Sequence, residues 1–368
     1  MTKTINNQLR NILLENYKKY PQSNEVDFLK LIYQNEFGCG HLVSDPKKSL
    51  EMIKDELALI DYHSNDVLDY EYIGNHLCRL NLNVLNNSAL SVETFNNFLI
   101  STANIQQLLY QIGDEDNYEH KVVELVQLCT NKLLPLSYDV VMQLFKQNKE
   151  LGCPPFSHSQ KYREIYQPHY RVVRKEFCDF LSLFVAIDNL LNKKEHVIVA
   201  IDGFCASGKS TLANLLKGIY DCNVFKMDDF FLQIHQRTAE RLAELGGNVD
   251  YERFQQEVLS PLRLNQPFSY RPFDCSTFQF GKSIAAMPKR LSIIEGVYSM
   301  HPSLIDAYDL KVFLKVNPNQ QKNRLMVRNP KMLSRFVEEW IPLEYKYFEH
   351  FNIEKLCDIV FDTSEGEI

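Results

Sequence analysis

The sequence of 368 residues lacks three features that mark common protein classes: closely paired cysteines, long apolar runs and an excess of basic residues. The nine cysteines include no CxxC pair, which favours reduced thiols in the cytoplasm over a disulfide framework. The longest apolar run, residues 180–187, is far too short for a membrane span, and no apolar targeting segment occupies the first residues. We therefore expect a cytoplasmic protein without membrane association.

Charge and composition narrow the class further. With 40 Lys and Arg against 47 Asp and Glu, the net charge of −7 argues against a general polyanion binder, so nucleic acid is not an expected partner. A hydrophobic content of 45% with 12% aromatics excludes disorder as the main state, and the length predicts two domains. Assembly into a homo-oligomer is left open by the sequence.

Residues 1–191 are predicted to form a mainly α-helical domain. Apolar residues recur at a helical period over residues 50–60, after Ser44-Asp45-Pro46, which is typical of a capped helix start. Similar periodic stretches lie at residues 26–33, 92–109, 122–128 and 172–191. No role for this domain follows from its sequence.

Two polar features of this half invite a functional interpretation. A zinc site could form where Cys/His pairs converge, but none has a recognised ligand spacing, and turn or capping residues with buried thiols are favoured instead. The pairs are Cys39/His41, His76/Cys78 and Cys153/His158. A basic and aromatic run over residues 161–175 could contact phosphate or nucleic acid, although a solvated helix face is the favoured explanation.

The hydrophobic pattern of residues 192–368 differs from that of residues 1–191, because short apolar runs alternate with helical stretches. Continuous apolar runs of this length are typical of strands that are buried on both faces of a parallel sheet. They lie at residues 196–202, 222–227, 290–296 and 309–316. With helices between them, they predict an α/β domain with a parallel sheet and crossover helices, joined to the first half near the charged residues 192–195.

The strongest motif is GFCASGKST at residues 203–211, which satisfies GxxxxGK[ST]. It follows the run 196–202 and opens a predicted helix over residues 209–220, as a phosphate-binding loop requires. Lys209 is then expected to reach the β- and γ-phosphates of ATP, and Ser210 to bind Mg²⁺. An NKxD element that would indicate a GTPase is absent after the loop. The residues predicted to hold the nucleotide are Gly203, Ala206, Ser207, Gly208, Lys209, Ser210 and Thr211.

Asp228 and Asp229 follow the second apolar run, in the sequence KMDDFF. At the carboxyl end of a parallel strand beside the loop, a carboxylate can accept the proton of a hydroxyl that attacks the γ-phosphate. Surface turn residues are the alternative interpretation. This segment, about 20 residues after the loop lysine, resembles the uridine kinase/phosphoribulokinase family of P-loop kinases. The resemblance implies that Asp228 is the catalytic base and that Asp229 supports it.

The resemblance continues in order over about half of the chain. It implies that Asp250 binds substrate hydroxyls, although a helix N-cap explains the same position equally well. It places Glu295, at the end of the run IIEG, beside Mg²⁺. It also implies that Arg324 and Arg328, which share a helix face, begin a lid over the phosphates, for which a solvated basic face is the alternative. Residues 340–344 would complete the lid or form its hinge.

One departure from the family bears on the substrate. Uridine and cytidine kinases carry a P-Y-D-F segment followed by a histidine that recognises the pyrimidine. Here the equivalent positions hold Arg271, Phe273 and Phe278, with Phe278 where the histidine would be. Replacing polar groups by phenylalanine removes the hydrogen bonds that would recognise a base, although a flat ring can still stack on an aromatic side chain in the pocket.

Together these motifs predict an ATP- and Mg²⁺-dependent kinase that phosphorylates a hydroxyl of a small metabolite, with a nucleoside as the first choice of acceptor. Glycerate, pantothenate and a vitamin riboside remain open as acceptors. A nucleotide-dependent switch that acts on a macromolecule through the N-terminal domain is the alternative from a different class, and it would hydrolyse ATP slowly without an acceptor. The carboxylates Asp228 and Asp250 favour the kinase, because a switch needs no second substrate pocket.

Overall fold

The computed structural model describes residues 2–38, 43, 45–60, 70–110 and 115–365, with side chains for all of these except 2–6 and 105–110. Cys39 and His41, one of the Cys/His pairs considered for zinc, lie outside the described residues, as does Ser44. Contacts divide the chain into two compact units, Met1–Val185 and Ala186–Ile368. The division falls within the helix Leu181–Leu191, whereas the sequence places the boundary after residue 191.

The N-terminal unit is mainly helical, as predicted, and also contains a small antiparallel sheet. Its helices are α1 (Thr2–Lys19), α2 (Glu25–Phe37), α3 (Pro46–Leu57), α4 (Asn83–Asn87), α5 (Val92–Tyr110), α6 (Glu115–Thr130), α7 (Tyr138–Glu150), α8 (Gln160–Tyr166) and α9 (Lys175–Asp179), while α10 (Leu181–Leu191) continues into the second unit. Its strands, in sheet order, are β1 (Tyr70–Gly74), β2 (Leu77–Asn81) and β3 (Tyr170–Arg174).

Short polar caps fix where these helices begin. The Asn24 side chain caps α2, and the Asp27 carboxylate accepts a hydrogen bond from the Asn24 amide to close a capping box. At α3, the Asp45 carboxylate accepts from the amides of Lys47 and Lys48, as the Asp-Pro start predicts. The apolar faces of α1, α2, α6 and α7 then meet the sheet in one core, which includes Leu13, Phe28, Leu125, Phe145 and Val172.

Strand β3 corrects one prediction. The periodic stretch 172–191 predicts a helix, but Tyr170–Arg174 pairs antiparallel with β2, and helical structure starts only at Lys175. Val172 and Val173 are β-branched and bury on the sheet, which a strand accommodates better than a helix. The short length of the strand hid it within the neighbouring helical period.

The C-terminal unit is built on a five-stranded parallel sheet with flanking helices, as predicted. The strands of this sheet, in spatial order, are β12 (Ile359–Asp362), β11 (Leu310–Lys315), β4 (Val197–Gly203), β10 (Leu291–Glu295) and β5 (Cys222–Lys226). Two small antiparallel pairs join β6 (Phe268–Tyr270) to β9 (Ile284–Ala286) and β7 (Phe273–Asp274) to β8 (Gln279–Phe280). The helices are α11 (Lys209–Ile219), α12 (Ala239–Ala243), α13 (Tyr251–Phe254), α14 (Ser260–Arg263), α15 (Pro318–Arg328), α16 (Leu333–Arg335), α17 (Ile341–Phe351) and α18 (Ile353–Leu356).

Burial explains why the strands of the parallel sheet could be predicted from the sequence. Every residue of the central strands β4 and β10 is buried, so both faces of each strand demand apolar side chains. Because the strands are parallel and in register, β4, β10 and β5 end side by side at one edge of the sheet. This edge carries the loop and the acidic side chains that the sequence singled out.

No helix within the described residues combines the length and the apolar character that a bilayer crossing requires.

Candidate active site

A cavity of about 1070 Å³ opens at the carboxyl edge of the parallel sheet in the C-terminal unit. Ten of the side chains and loop residues predicted from the sequence line it: Ala206, Gly208, Lys209, Ser210, Thr211, Asp228, Phe278, Glu295, Arg324 and Arg328. Ligand cavities are typically about 300 to 1,000 Å³, so this one has room for a nucleotide and a small second molecule. Gly203, Ser207, Asp250, Arg271 and Phe273 do not line it.

The loop between β4 and α11 has the backbone of a phosphate cradle. Ala206 and Gly208 adopt left-handed backbone angles, with φ of 57° and 98°. Helix α11 begins directly after Gly208, and no side chain caps it. The first amides of a helix lack partners within the helix, so here they are available to an anion, with the helix dipole in support. The loop therefore fits the phosphates of a nucleotide.

Gly203 is required by the fold rather than by the cavity. Its φ is +139°, and a Cβ atom there would lie far inside van der Waals contact with the Leu314 backbone of the neighbouring strand β11. Glycine permits both the backbone angle and the close approach.

Lys209 is almost fully buried, with 7% of its surface exposed, and is folded against the loop. Its Nζ donates to the carbonyl oxygens of Gly203 and Phe204, at 2.8 Å each. A phosphate in the cradle would compete for this ammonium group, since a charged acceptor binds it more strongly than a neutral carbonyl.

Two buried carboxyl groups support the loop. Burial raises the pKa of Asp202 to about 6, while its oxygens accept bonds from the amides of Gly203 and Met300. Burial likewise raises the pKa of Glu344 to about 7, and its Oε2 accepts from the Cys205 amide at 2.9 Å. The positive charge of Lys209 opposes both shifts. Asp202 was not identified as a site residue from the sequence, and Glu344 was included only within the predicted lid or hinge, residues 340–344.

Ser210 and Glu295 form the predicted magnesium pair. The Ser210 hydroxyl lies 3.0 and 3.1 Å from the two Glu295 carboxylate oxygens. Burial raises the pKa of Glu295, with the Ser210 bond and Lys209 opposing the shift and Asp228 adding to it. These are hard oxygen ligands of the kind Mg²⁺ prefers, and nucleotide-bound Mg²⁺ needs only one or two of them from the protein. The residues present therefore fit this ion.

Within the described part of the chain, no three His, Cys, Asp or Glu side chains are arranged to hold an ion. The described zinc candidates His76/Cys78 and Cys153/His158 thus belong to no such group. The His158 ring instead contacts Asp27 through Nδ1 at 3.0 Å and the Tyr170 hydroxyl through Nε2 at 2.7 Å.

The two neighbouring aspartates have different environments. Both belong to a short 3₁₀ turn, Met227–Phe230, that follows β5. Asp228 is exposed and lines the cavity. Asp229 is half-buried outside the cavity lining, and burial raises its pKa. The turn therefore presents Asp228 alone to a substrate.

The predicted lid arginines both lie on α15 and line the cavity, but they are held differently. Arg324 donates to the Ala206 carbonyl at 3.2 Å and to the Thr363 carbonyl at 2.6 Å, which ties the helix to the phosphate loop. Arg328, at the end of α15, is exposed. Trp340 and Glu344, from the second part of the predicted lid, also line the cavity.

Among the predicted substrate side chains, only Phe278 reaches the cavity, and 46% of its surface is exposed. Asp250 is buried and caps α13, since its oxygens accept from the Arg253 amide and the Gln236 side chain. The capping alternative thus describes this residue. Phe273 is buried against Phe280, with ring centroids 5.5 Å apart.

Some side chains that line the cavity were not predicted from the sequence. Asn248, two residues before Asp250, lines it in place of the predicted aspartate, and Arg237 lines the part next to Phe278. Because Asn248 is so near to Asp250 in the sequence, a wider choice of residues around Asp250 would have found it. Arg237 lies in a loop with no periodic or motif signal, and only the fold brings it to the site.

The comparisons with known proteins find only distant similarity to solved structures. No family model and no curated protein matches the chain. A possible uridine kinase from Bacillus stearothermophilus is 22% identical over 49% of this chain and all of its own, with a TM-score of 0.38. A candidate fructose transport system kinase from Silicibacter sp. TM1040 is 21% identical over 48% of this chain and 96% of its own, with a TM-score of 0.39. A shikimate kinase from Bacteroides thetaiotaomicron is 14% identical over 47% of this chain and 89% of its own, with a TM-score of 0.27. Each of these solved structures is similar to about half of the chain.

Proposed function

We propose that the chain is an ATP- and Mg²⁺-dependent kinase that transfers the γ-phosphoryl group to a hydroxyl of a small metabolite in the cytoplasm. The observation that carries the proposal is the placement of a phosphate cradle and an exposed carboxylate, Asp228, on one cavity. A protein that only hydrolyses or senses ATP has no need for a second binding space beside such a carboxylate.

The reaction follows from where the side chains lie. The acceptor hydroxyl loses its proton to Asp228 as its oxygen bonds to the γ-phosphorus, and the bond from that phosphorus to the bridging oxygen of ADP breaks. The products are ADP, the phosphorylated acceptor and a proton that Asp228 releases to solvent. Lys209 and the loop amides hold the phosphates throughout, and Arg324 and Arg328 offset charge that develops during transfer.

Ser210 and Glu295 would hold the magnesium ion. When bound, Mg²⁺ would neutralise negative charge on the phosphate oxygens. Burial of Glu295 keeps this pair in a fixed position between the loop and the catalytic turn.

A nucleoside is the first acceptor to test, because the motifs resemble the uridine kinase/phosphoribulokinase family. The exposed face of Phe278 supports it, because an aromatic face can stack a flat ring. Glycerate, pantothenate and a vitamin riboside remain in the test set, since the family's polar base-reading residues are replaced here.

A coupled ADP-release screen over nucleosides, sugars and hydroxy acids tests the activity. Asp228→Asn is expected to lower kcat by about 10² to 10⁴ for the best acceptor, while the Kd for ATP stays within a few-fold of the parent value. Asp221→Asn is the matched control, because Asp221 lies next to the opposite end of β5, exposed and paired with Lys289. ADP release that is slow, independent of every acceptor and insensitive to Asp228→Asn would refute the kinase proposal and favour a switch.

A further inference from the structure

Arg237 is a charged side chain of the cavity lining that the sequence motifs did not predict. It follows the short turn Ile234–Gln236 and shares this lining with Phe231, Asn248, Cys275 and Phe278. The side chain is half-buried, so its charge is partly removed from solvent.

Two contacts fix the direction of this guanidinium group. Its Nε donates to the Leu232 carbonyl at 3.0 Å, and its central carbon lies 5.1 Å from the centroid of the Phe278 ring. A guanidinium on an aromatic face retains its outer N–H groups for another acceptor. The arginine is therefore held in place through Nε, and among the described residues no oxygen accepts a hydrogen bond from its two Nη groups.

The charge of Arg237 has no carboxylate partner within the described residues. Its only other contact is from Nη2 to the Cys275 sulfur at 3.8 Å, and sulfur is a weak acceptor. The nearby Arg241 and Arg253 differ, because each contacts a glutamate, Glu252 and Glu257 respectively. A half-buried guanidinium without a partner is ready to bind an anion.

Cys275 relates Arg237 to the catalytic carboxylate. Burial raises the pKa of the Cys275 thiol, the positive charge of Arg237 opposes this shift, and the negative charge of Asp228 adds to it. Both charged side chains thus lie close enough to act on the same thiol. Asp228 and Arg237 also line the same cavity, so a molecule whose hydroxyl meets Asp228 can extend towards Arg237.

We propose that Arg237 binds an anionic group, a carboxylate or a phosphate, on the acceptor, so that the substrate is a hydroxy acid or a phosphorylated sugar rather than a neutral nucleoside. The inference rests on the proposed function and narrows it. The planar fork of arginine matches the paired oxygens of either anion, and the Phe278 ring behind it maintains the angle of approach.

Matched acceptor pairs that differ only in the anion test this inference. The pairs are glycerate with glycerol, pantothenate with pantothenol, and ribose 5-phosphate with ribose, with uridine as the neutral nucleoside. We expect the anionic member of at least one pair to have at least about tenfold higher kcat/KM than its neutral partner. The first two pairs indicate a carboxylate and the third a phosphate.

Arg237→Gln should raise the KM for the anionic acceptor by about 10- to 100-fold and abolish the preference within the pair, with the KM for ATP unchanged. Arg263→Gln is the matched control. Arg263 is exposed at the end of α14 and lies outside the cavity lining. Arg237→Lys, which retains the charge without the fork, should restore part of the loss.

Calorimetric binding of the same probes in the presence of ADP separates the two proposals. Arg237-dependent binding of an anion without phosphoryl transfer would uphold the subsite and refute the kinase activity. Equal kcat/KM for neutral and anionic partners, or an Arg237→Gln effect on the KM for ATP instead, would refute the subsite and leave the kinase standing.

Discussion

At the residue scale, chemically similar side chains acquire different roles from their surroundings. Asp228 and Asp229 are adjacent, yet the 3₁₀ turn exposes the first to the cavity and half-buries the second. Glycines differ in the same way. Gly203 is constrained by a neighbouring strand, whereas Gly218, near the end of α11, has open space where a Cβ would stand.

The glycine pair gives a stability prediction. Gly203→Ala should lower the melting temperature of the chain markedly, because its Cβ collides with the Leu314 backbone at a left-handed φ. Gly218→Ala should leave the melting temperature equal or higher, since alanine favours a helix over glycine by about 1 kcal/mol. Differential scanning calorimetry of both variants is the measurement, and a harmless Gly203→Ala would contradict the strand contact.

A pH prediction follows from Glu344. Its pKa rises from 4.5 in the unfolded chain to about 7 in the fold, so the folded state binds the proton more tightly. Stability from this group is therefore fully present below about pH 4.5 and is lost as the pH rises to about 7. Glu344→Gln, which retains an acceptor for the Cys205 amide, should raise the melting temperature at pH 8, by less at pH 5, and not at pH 4.

Glu349→Gln is the matched control for that experiment, because Glu349 lies exposed on the same helix. It should leave the melting temperature unchanged across the same range. A lower melting temperature for Glu344→Gln at pH 8 would mean that attraction between the ionised Glu344 and Lys209 outweighs the cost of burial.

At the element scale, the site is assembled from strand ends and one anchored helix. The register of β4, β10 and β5 brings the loop, Glu295 and the turn that bears Asp228 to the same edge. Helix α15 is fixed to this edge by Arg324, which bonds both the loop and the backbone beyond β12. One arginine on this helix thus anchors it while the next, Arg328, lies exposed over the cavity.

Alanine substitutions should separate these two roles. Arg324→Ala should lower both the melting temperature and kcat, because it removes hydrogen bonds to the loop as well as a charge beside the phosphates. Arg328→Ala should lower kcat alone, since the side chain is exposed. Calorimetry and ADP release on the same preparations provide the comparison. Normal turnover of the Arg328→Ala variant would show that Arg328 belongs to a solvated helix face and has no role in catalysis.

At the scale of the whole molecule, contacts divide the chain into two compact units, and the functional residues discussed above belong to the second. The sequence by itself determined the parallel sheet, because strands buried on both faces must be continuously apolar. It also determined the phosphate loop, where backbone geometry depends on a few glycines and on the helix that follows. Strand β3 was missed because five residues beside a helix carry too little periodicity to be distinguished.

Only the tertiary structure decided which polar side chains share the cavity. Asp250 and Asn248 are two residues apart, yet one caps a helix and the other faces the site, since the path of the backbone between them sets the direction of each. The sequence around Arg237 does not indicate its role, because that role depends on two residues from other segments. Phe278 is distant from it in the sequence, and Asp228 belongs to a different turn. Local patterns fix strands, helices and loops, whereas contacts between segments remote in sequence fix what a substrate meets.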